Sequence, residues 1–520
     1  MIKDEHWWGG AINFACKMPF DSNSDIEIRL DRYRSTVQSA PLFLSDKGRY
    51  IWSDSGFIAK LKNGCIYLEG DGDFDLDESG HSLRDAFVNA KNKHFPFENK
   101  VHTERLFYSL PQFNTWMELI KDQTEDNILA YAKGLVENGY KRGILIIDDG
   151  WQENHGVWRF HPGKFKNPKG MVEKLHRMGF KVMLWVSPWI SADSDMYLDH
   201  AYINGVTRNT NHFLRMKDGN VGIFKWWNGY SAMLDMTKEG DRRLMGGQLD
   251  ILTKEYGIDG FKFDGGDYVS KPINATDKDA PDLYGESSAH KGFKTIDELN
   301  AAWIKFGMKY PLHEFKNTYN TGHLPVIQRL YDKTHEWGSD GLASIIPQGT
   351  FIGLIGNPFI CPDMVGGGSW TAFVYGSVDE ELFVRMAQCN ALFPMMQFSA
   401  LPWKKLSPPY ADICLKMANL HENMYEYILK AVEYSEICGE PILKNMEYAF
   451  PHKGYACIKD QFMLGDDILV APVVEKGVTS RKVVFPDGKW VDKTDGTIYT
   501  EGEHTVPAPI DKLPYFERLL

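Results

Sequence analysis

Between residues 103 and 410, short apolar runs alternate with amphipathic stretches, and this alternation restricts the possible folds more than any other feature of the chain. Helical periodicity over 128 to 139, 171 to 179 and 245 to 256 is interleaved with apolar runs over 143 to 149, 181 to 190 and 257 to 264. A helix that returns the chain to begin a new strand beside the previous one implies parallel pairing. About 300 residues of such alternation suits an α/β fold of the closed (β/α)8 TIM barrel type. Residues 1–102 instead show short alternating runs between turn signals, such as Arg49 to Gly56 and Cys65 to Gly70, and predict an N-terminal β-sandwich-like domain. Barrel texture over 103–410 is interrupted at 271–316 by a stretch rich in Lys, Asp, Ala and Pro, which reads as a loop insertion near the site. Residues 411–520 begin with a helical stretch and return to short strands, predicting a C-terminal antiparallel β domain; Arg481 to Phe485 turns at Pro486-Asp487-Gly488.

The formal net charge of −12 and the lack of a basic stripe argue against nucleic acid as a partner. Met1-Ile2-Lys3-Asp4-Glu5-His6-Trp7-Trp8 has no cationic start followed by an apolar core, and no run approaches the roughly 18 apolar residues of a membrane span, so a cytoplasmic protein without membrane attachment is expected. The seven cysteines form no Cys-x-x-Cys pair and the histidines show no ligand spacing, so no metal and no organic cofactor are expected. Homo-oligomerisation is left open.

In a parallel barrel the active site forms at the C-terminal ends of the strands, so polar residues just after apolar runs are the candidates. Gly257-Ile258-Asp259-Gly260-Phe261-Lys262-Phe263-Asp264-Gly265-Gly266 is the clearest case. Alternation sends Lys262 and Asp264 to one face and Phe261 and Phe263 to the other. The ammonium favours an ionised Asp264, the candidate nucleophile. Asp148 and Asp149 end the run from Ile144, Trp185 and Trp189 end the run from Val182, and Asp363 follows Phe359-Ile360-Cys361-Pro362. Taken singly, each has a plain structural explanation: a salt bridge, an Asp-Asp-Gly turn, core indoles, a helix cap. Their recurrence at four strand ends is what points to a site. Carboxylates beside indoles suit sugars, whose hydroxyls donate to acids while aromatic faces cover C–H surfaces. A second acid is available from Asp332, Glu336 or Asp340, and Asp340, after Trp337-Gly338 and before an apolar run, fits a loop acid whose pKa an aromatic neighbour would raise.

These motifs resemble glycoside hydrolase family 31, the retaining α-glycosidases. Phe261-Lys262-Phe263-Asp264 is similar to that family's nucleophile strand, Trp337-Gly338-Ser339-Asp340 to its acid/base loop, and Trp226-Trp227-Asn228-Gly229 with Asp235 to its Trp-x-Gly segment. Asp363-Met364-Val365-Gly366-Gly367, Val470-Ala471-Pro472-Val473 and Pro486-Asp487-Gly488-Lys489-Trp490 continue the likeness in chain order from about 100 to the end. Within the family the chain looks most like the branch containing myogenesis-regulating glycosidase and bacterial α-galactosidases, carried by His6-Trp7-Trp8-Gly9-Gly10, Asn114-Thr115-Trp116 and Met396-Gln397-Phe398-Ser399. Gln397-Phe398-Ser399 stands where α-glucosidases of the family carry Arg-Asn-His, which disfavours glucose. Lys262 also occurs in α-xylosidases.

The resemblance implies an exo-acting α-glycosidase, with α-galactosidase as the first reading and α-xylosidase or α-glucosidase as the alternative. Asp264 would be the nucleophile and Asp340 the general acid/base. Asp148, Asp149 and Asp363 would accept sugar hydroxyls, Lys262 and Arg329 would donate, and Trp185, Trp227 and Trp337 would wall the pocket. The partner is an oligosaccharide or glycoside. Two rival classes are a catalytically inactive carbohydrate-binding protein and a different barrel enzyme using metal or Schiff-base chemistry.

Overall fold

A computed structural model of the chain describes residues 4–31, 37–97, 101–203, 206–207, 212–215, 220–266, 296–373 and 378–519. Its centre is an eight-stranded parallel sheet rolled into a nearly closed TIM barrel. The strands are β1 (Gln112–Asn114), β2 (Ile144–Ile147), β3 (Lys181–Val186), β4 (Gly260–Phe263), β5 (Leu312–Phe315), β6 (Gln328–Arg329), β7 (Ile360–Cys361) and β8 (Gln397–Phe398), in the order β7-β6-β5-β4-β3-β2-β1-β8. Helices α1 (Glu125–Glu137), α2 (Pro168–Arg177), α3 (Glu239–Tyr256), α4 (Ile296–Gly307), α5 (Ile345–Leu354), α6 (Glu380–Ala391) and α7 (Pro408–Asn423) cover the outside. Local chemistry starts them: Thr124 accepts from the Asn127 N–H, Asn167 caps α2 ahead of Pro168, and Asp379 accepts from the Leu382 N–H. All four residues of β2 are buried, as expected of a parallel strand covered on both faces.

The alternation expected in β4 is present. Phe261 and Phe263 are fully buried towards the helices, with Phe263 5.2 Å from Trp303 of α4, while Lys262 faces the barrel interior beside Asp148 of the β2 end. Gly260 is required by packing, because a Cβ there would lie 2.0 Å from the Leu312 carbonyl oxygen. Gly260→Ala should therefore force β4 from β5 and cost about 1–3 kcal/mol, the usual range for overpacking, read as a lowered midpoint in urea unfolding.

Two expectations about segments differ from the structure. The stretch 271–316 is not one loop: from residue 296 it forms α4 and β5, while the part up to 295 lies outside the described residues. Leu299, Trp303 and Ile304 are apolar, at helical spacing and buried, but the helix follows directly on the Lys-, Asp- and Pro-rich stretch, and β5 carries His313 and Glu314 between its apolar ends. The change of texture expected at 410 falls inside α7, which packs on α6 as a barrel helix. The first strand of the C-terminal sheet is Leu443–Lys444.

The N-terminal residues form two antiparallel sheets. Trp7–Ala11, Gln38–Ser45, Tyr50–Ser53 and Phe74–Asp77 make one, and Ile26–Arg29, Ile58–Lys62 and Cys65–Glu69 the other. The last two strands turn at Asn63-Gly64, both at positive φ, the geometry that a tight two-residue hairpin requires. No helix joins β5 to β6. Instead Thr318–Tyr319 pairs in parallel with Gln38–Ser45, and the Gln38 side chain donates to the Arg329 carbonyl at 2.8 Å. The N-terminal sheet thus braces β6 directly. The C-terminal domain is a six-stranded antiparallel sheet with its own small core around Phe485, Trp490 and Phe516. Among the described residues no helix is long and apolar enough to cross a membrane.

Candidate active site

At the C-terminal ends of the barrel strands lies a cavity of about 250 Å³. This is below the usual range of about 300–1,000 Å³ for drug-sized ligands and suits a single sugar ring. Asp264 enters it directly after β4, its backbone N–H held by the Val186 carbonyl at 2.9 Å. The Trp185 Nε1–H donates to Asp264 Oδ2 at 3.1 Å and the Gly265 N–H to Oδ1 at 2.8 Å, fixing the carboxylate plane. Lys262 Nζ is 3.9 Å from Asp264 but only 2.7 Å from Asp148 Oδ2, which also accepts from Asn114 Nδ2 at 2.8 Å. Burial pushes the Asp264 carboxyl up, and the ammonium groups of Lys316 and then Lys262 more than offset this, leaving it below the usual carboxylate range.

A second carboxylate, Asp332, lines the same cavity. Lys316 Nζ donates to its Oδ2 at 2.8 Å and Arg329 to its Oδ1 at 3.1 Å. Burial opposes ionisation here too, but Lys316 and Arg329 hold Asp332 well below the ordinary range. Arg329 is fully buried, bound to Asp363 as well as Asp332, with Glu314 Oε1 3.6 Å from its Nε. Burial raises the pKa of Glu314, whose other oxygen accepts from Gln397 at 2.9 Å.

The structure brings together six of the residues expected from the sequence: Asp148, Trp185, Trp227, Lys262, Asp264 and Arg329. Four are placed elsewhere. Asp340, expected opposite Asp264, is exposed on a loop folded on itself: the Thr334 N–H donates to its carbonyl, and its own N–H to Glu336 Oε1 at 3.3 Å. It does not line the cavity, because the 334–342 turn carries it outward. Trp337 on the same loop is tied through Nε1 to Asp379 at 3.1 Å, away from the cavity. Asp363 is consumed by Arg329 and by the N–H groups of Lys333 and Gly368, at 2.5 and 2.7 Å, so it positions Arg329 instead of meeting a sugar. Asp149 faces the other way, into a neighbouring cavity, bound by Lys121, by Asn228 Nδ2 at 2.8 Å and with His155 Nε2 at 2.9 Å.

Further residues line the cavity. Lys316 follows β5 as Asp264 follows β4, within the stretch expected as an insertion. Asp332, one of the three acids the sequence offers between 332 and 340, follows β6. Trp116, after β1, and Trp370, after the glycines at 366–368, complete the aromatic wall. Trp116 and Trp185 each meet Trp227 edge-on, with ring centroids 6.1 and 6.2 Å apart. Among the described residues no group of three or more His, Cys, Asp or Glu side chains is arranged to hold a metal ion.

Comparison with known proteins places this geometry. The model of the glycosyl hydrolases family 31 TIM-barrel domain matches residues 109–431, and that of the family's C-terminal domain matches 439–519. The chain belongs to glycosyl hydrolase family 31. The myogenesis-regulating glycosidase of Mus musculus is 30% identical over 430 residues, covering 78% of this chain and 56% of that protein. Alpha-glucosidase 2 of Bacillus thermoamyloliquefaciens is 24% identical over 415 residues, covering 76% and 50%. The chain thus spans about half the length of these relatives. Among solved structures, the Flavobacterium johnsoniae family 31 dextranase complexed with glucose superposes with a TM-score of 0.82 at 20% identity, covering 100% of this chain and 66% of that one. Family 31 membership and the barrel accord with the expectation from the motifs, and the myogenesis-regulating glycosidase of the expected branch is among these relatives, whereas no α-galactosidase is.

Proposed function

We propose that this family 31 chain is a retaining, exo-acting α-glycosidase in which Asp264 is the nucleophile and Asp340, on the 334–342 loop, the general acid/base, while Asp332, ion-paired to Lys316 and Arg329, stays a carboxylate that can accept a sugar hydroxyl. The observation that carries the reading is the ionised Asp264 after β4, lining one ring-sized cavity with Asp148, Lys262, Arg329 and Asp332. Asp264 would attack the anomeric carbon while protonated Asp340 gives its proton to the departing oxygen; water deprotonated by Asp340 would then displace Asp264 from the ring with net retention. Asp148 and Lys262, a bonded pair in the cavity, are placed to accept from and donate to ring hydroxyls. The cavity ends on the barrel interior, which suits removal of a terminal sugar and not cleavage within a chain.

For the sugar itself, glucose is the better supported configuration, with xylose second. The names of the α-glucosidase and of the dextranase bound to glucose favour it. The argument against glucose from Gln397 also weakens, since Gln397 is fully buried, bonded to Gln112 and Glu314, and does not line the cavity. Purified protein assayed on 4-nitrophenyl α-glucoside, α-xyloside and α-galactoside tests the reading. Release from the glucoside or xyloside with an α-configured first product by NMR sustains it; a β-configured first product, or release only from a β-glycoside, refutes it.

Trp227 and Trp370, 60% and 54% exposed, are large apolar side chains left in water at the cavity mouth. They are placed to stack on the leaving group. Trp227→Ala should raise KM for a disaccharide about 3- to 10-fold, the scale of one lost aromatic contact, with kcat little changed; steady-state kinetics on matched disaccharide and methyl glycoside read this directly.

A further inference from the structure

Strand β8 pairs with β1 through Gln397–Gln112 and Phe398–Phe113, so the segments Asn114-Thr115-Trp116 and Gln397-Phe398-Ser399 leave the barrel side by side. Ser399 Oγ accepts from the Met117 N–H at 2.7 Å, and the Tyr131 hydroxyl is shared by the Asn114 and Ser399 carbonyls at 3.1 and 2.9 Å. On its other side β1 pairs with β2, which runs into Asp148. Asn114 is fully buried and does not line the cavity. Its two amide ends are assigned by their partners: Oδ1 accepts from the Trp116 backbone N–H at 2.8 Å, which leaves Nδ2 to donate to Asp148 Oδ2 at 2.8 Å. The same carboxylate oxygen takes the Lys262 ammonium at 2.7 Å, and Asp148 Oδ1 accepts from the Asp149 N–H at 2.8 Å. Thr115 Oγ1 accepts from the Asp148 N–H at 3.0 Å and donates to Gln123 Oε1 at 2.7 Å, so the same segment also holds the backbone of Asp148.

A carboxylate offers about four acceptor directions. At Asp148 the protein itself fills two on Oδ2 and one on Oδ1. Resting on the glycosidase reading above, we infer that Asn114 is a positioning residue that leaves Asp148 one acceptor direction, on Oδ1, open to the sugar cavity, and that Asp148 thereby reads the orientation of a single ring hydroxyl. Epimers differ by moving one hydroxyl between axial and equatorial positions. A carboxylate free to swivel would follow either, whereas one locked at three points accepts from only one of them. Asn114 sets this selectivity without touching the sugar. Its other amide end holds the backbone of Trp116, whose Nε1–H donates to the Gly368 carbonyl at 3.1 Å, so the hydroxyl acceptor and part of the aromatic wall share one anchor.

The test is a cycle between enzyme and substrate variants. Wild type, Asn114→Ala and Asp148→Asn are assayed on the 4-nitrophenyl α-glycoside that is cleaved and on its monodeoxy analogues, one for each hydroxyl. In wild type one analogue should lose kcat/KM about 10- to 100-fold, the scale of a hydrogen bond to a charged group. Asn114→Ala should lower kcat/KM of the parent glycoside about 5- to 50-fold and leave that analogue within about 3-fold of its wild-type value, because the hydroxyl read by the locked carboxylate is already absent. Asp148→Asn should couple to the same position. Urea unfolding curves first establish that each variant is folded. Equal losses on every analogue in Asn114→Ala would mark a merely structural role and overturn the inference. Coupling of Asp148→Asn to two positions, or to none, overturns it as well, and this arm stands whether or not Asn114→Ala folds. If wild type cleaves no α-glycoside, the glycosidase reading fails by itself, and calorimetric titration with glucose, xylose and galactose and the monodeoxy forms of whichever binds takes over. Binding coupled at one position sustains the role of Asn114; binding coupled at two positions or none, or no binding, overturns it.

Discussion

Asp264→Asn is expected to reduce turnover of the cleaved α-glycoside by roughly 10⁶-fold, the scale of loss when a covalent nucleophile is removed from a hydrolase. The substitution keeps the shape and one of the two hydrogen bonds: Trp185 donates to Oδ2 and the Gly265 N–H to Oδ1, and an amide offers only one oxygen, so one donor loses its acceptor while the fold and the cavity should persist. What is lost is the charge that Lys316 and Lys262 stabilise and the oxygen that bonds to C1. A sharper version uses Asp264→Gly with added azide. The small anion can enter where the carboxylate stood and attack from the same side, so the product should be the β-glycosyl azide from an α-glycoside, identified by NMR. An α-glycosyl azide, or activity near wild type in Asp264→Asn, would assign the nucleophile elsewhere.

The second large effect separates Asp332 from Asp340. Asp340→Ala should lower kcat about 10²- to 10⁴-fold on a substrate with a poor leaving group, the range for a lost general acid, and much less on a 4-nitrophenyl glycoside, whose leaving group needs little proton assistance. Azide should rescue this variant with retained α configuration, because the attack then comes at the second step on the ester of Asp264. Asp332→Asn should instead lower activity on both leaving groups alike, because it removes a charged acceptor from the cavity and not a proton donor. Steady-state kinetics on the two leaving groups decide the matter. Should Asp332→Asn show the leaving-group dependence and Asp340→Ala not, the acid/base would be Asp332.

Strand and helix signals made the barrel readable, because burial on both faces leaves long apolar runs such as Ile144–Ile147. The nucleophile strand was legible for a similar reason: in Phe261-Lys262-Phe263-Asp264 a period of two sorts side chains unambiguously between helices and interior. What proved illegible depended on partners from distant strands. Asp148, Asp149 and Asp363 look alike as strand-end acids, yet one opens on the cavity, one is bound by Lys121 and Asn228 behind it, and one is spent on Arg329. Asp332 and Asp340 differ by the path of a single turn, and no local propensity says which way a loop of mixed residues will point. Lys316 was hidden because the short strand before it, Leu312–Phe315, carries two adjacent polar residues, His313 and Glu314, and so shows no strand periodicity.

The pairing of Thr318–Tyr319 with the strand from Gln38 also bears on how the chain comes into being. Gln38 and Arg329, joined by a hydrogen bond, are 291 residues apart in sequence. A growing chain leaves the ribosome N-terminus first, so the Gln38–Ser39 end of this strand, beyond the Leu42–Leu44 stretch already paired with the Tyr50–Ser53 strand, must wait with one edge uncovered until most of the barrel has been synthesised. During that interval the exposed edge is a template for pairing with neighbouring chains. Slow passage through the middle of the message would lengthen the exposure, and the yield of native protein should respond to chaperone supply and translation rate as much as to the stability of the finished fold.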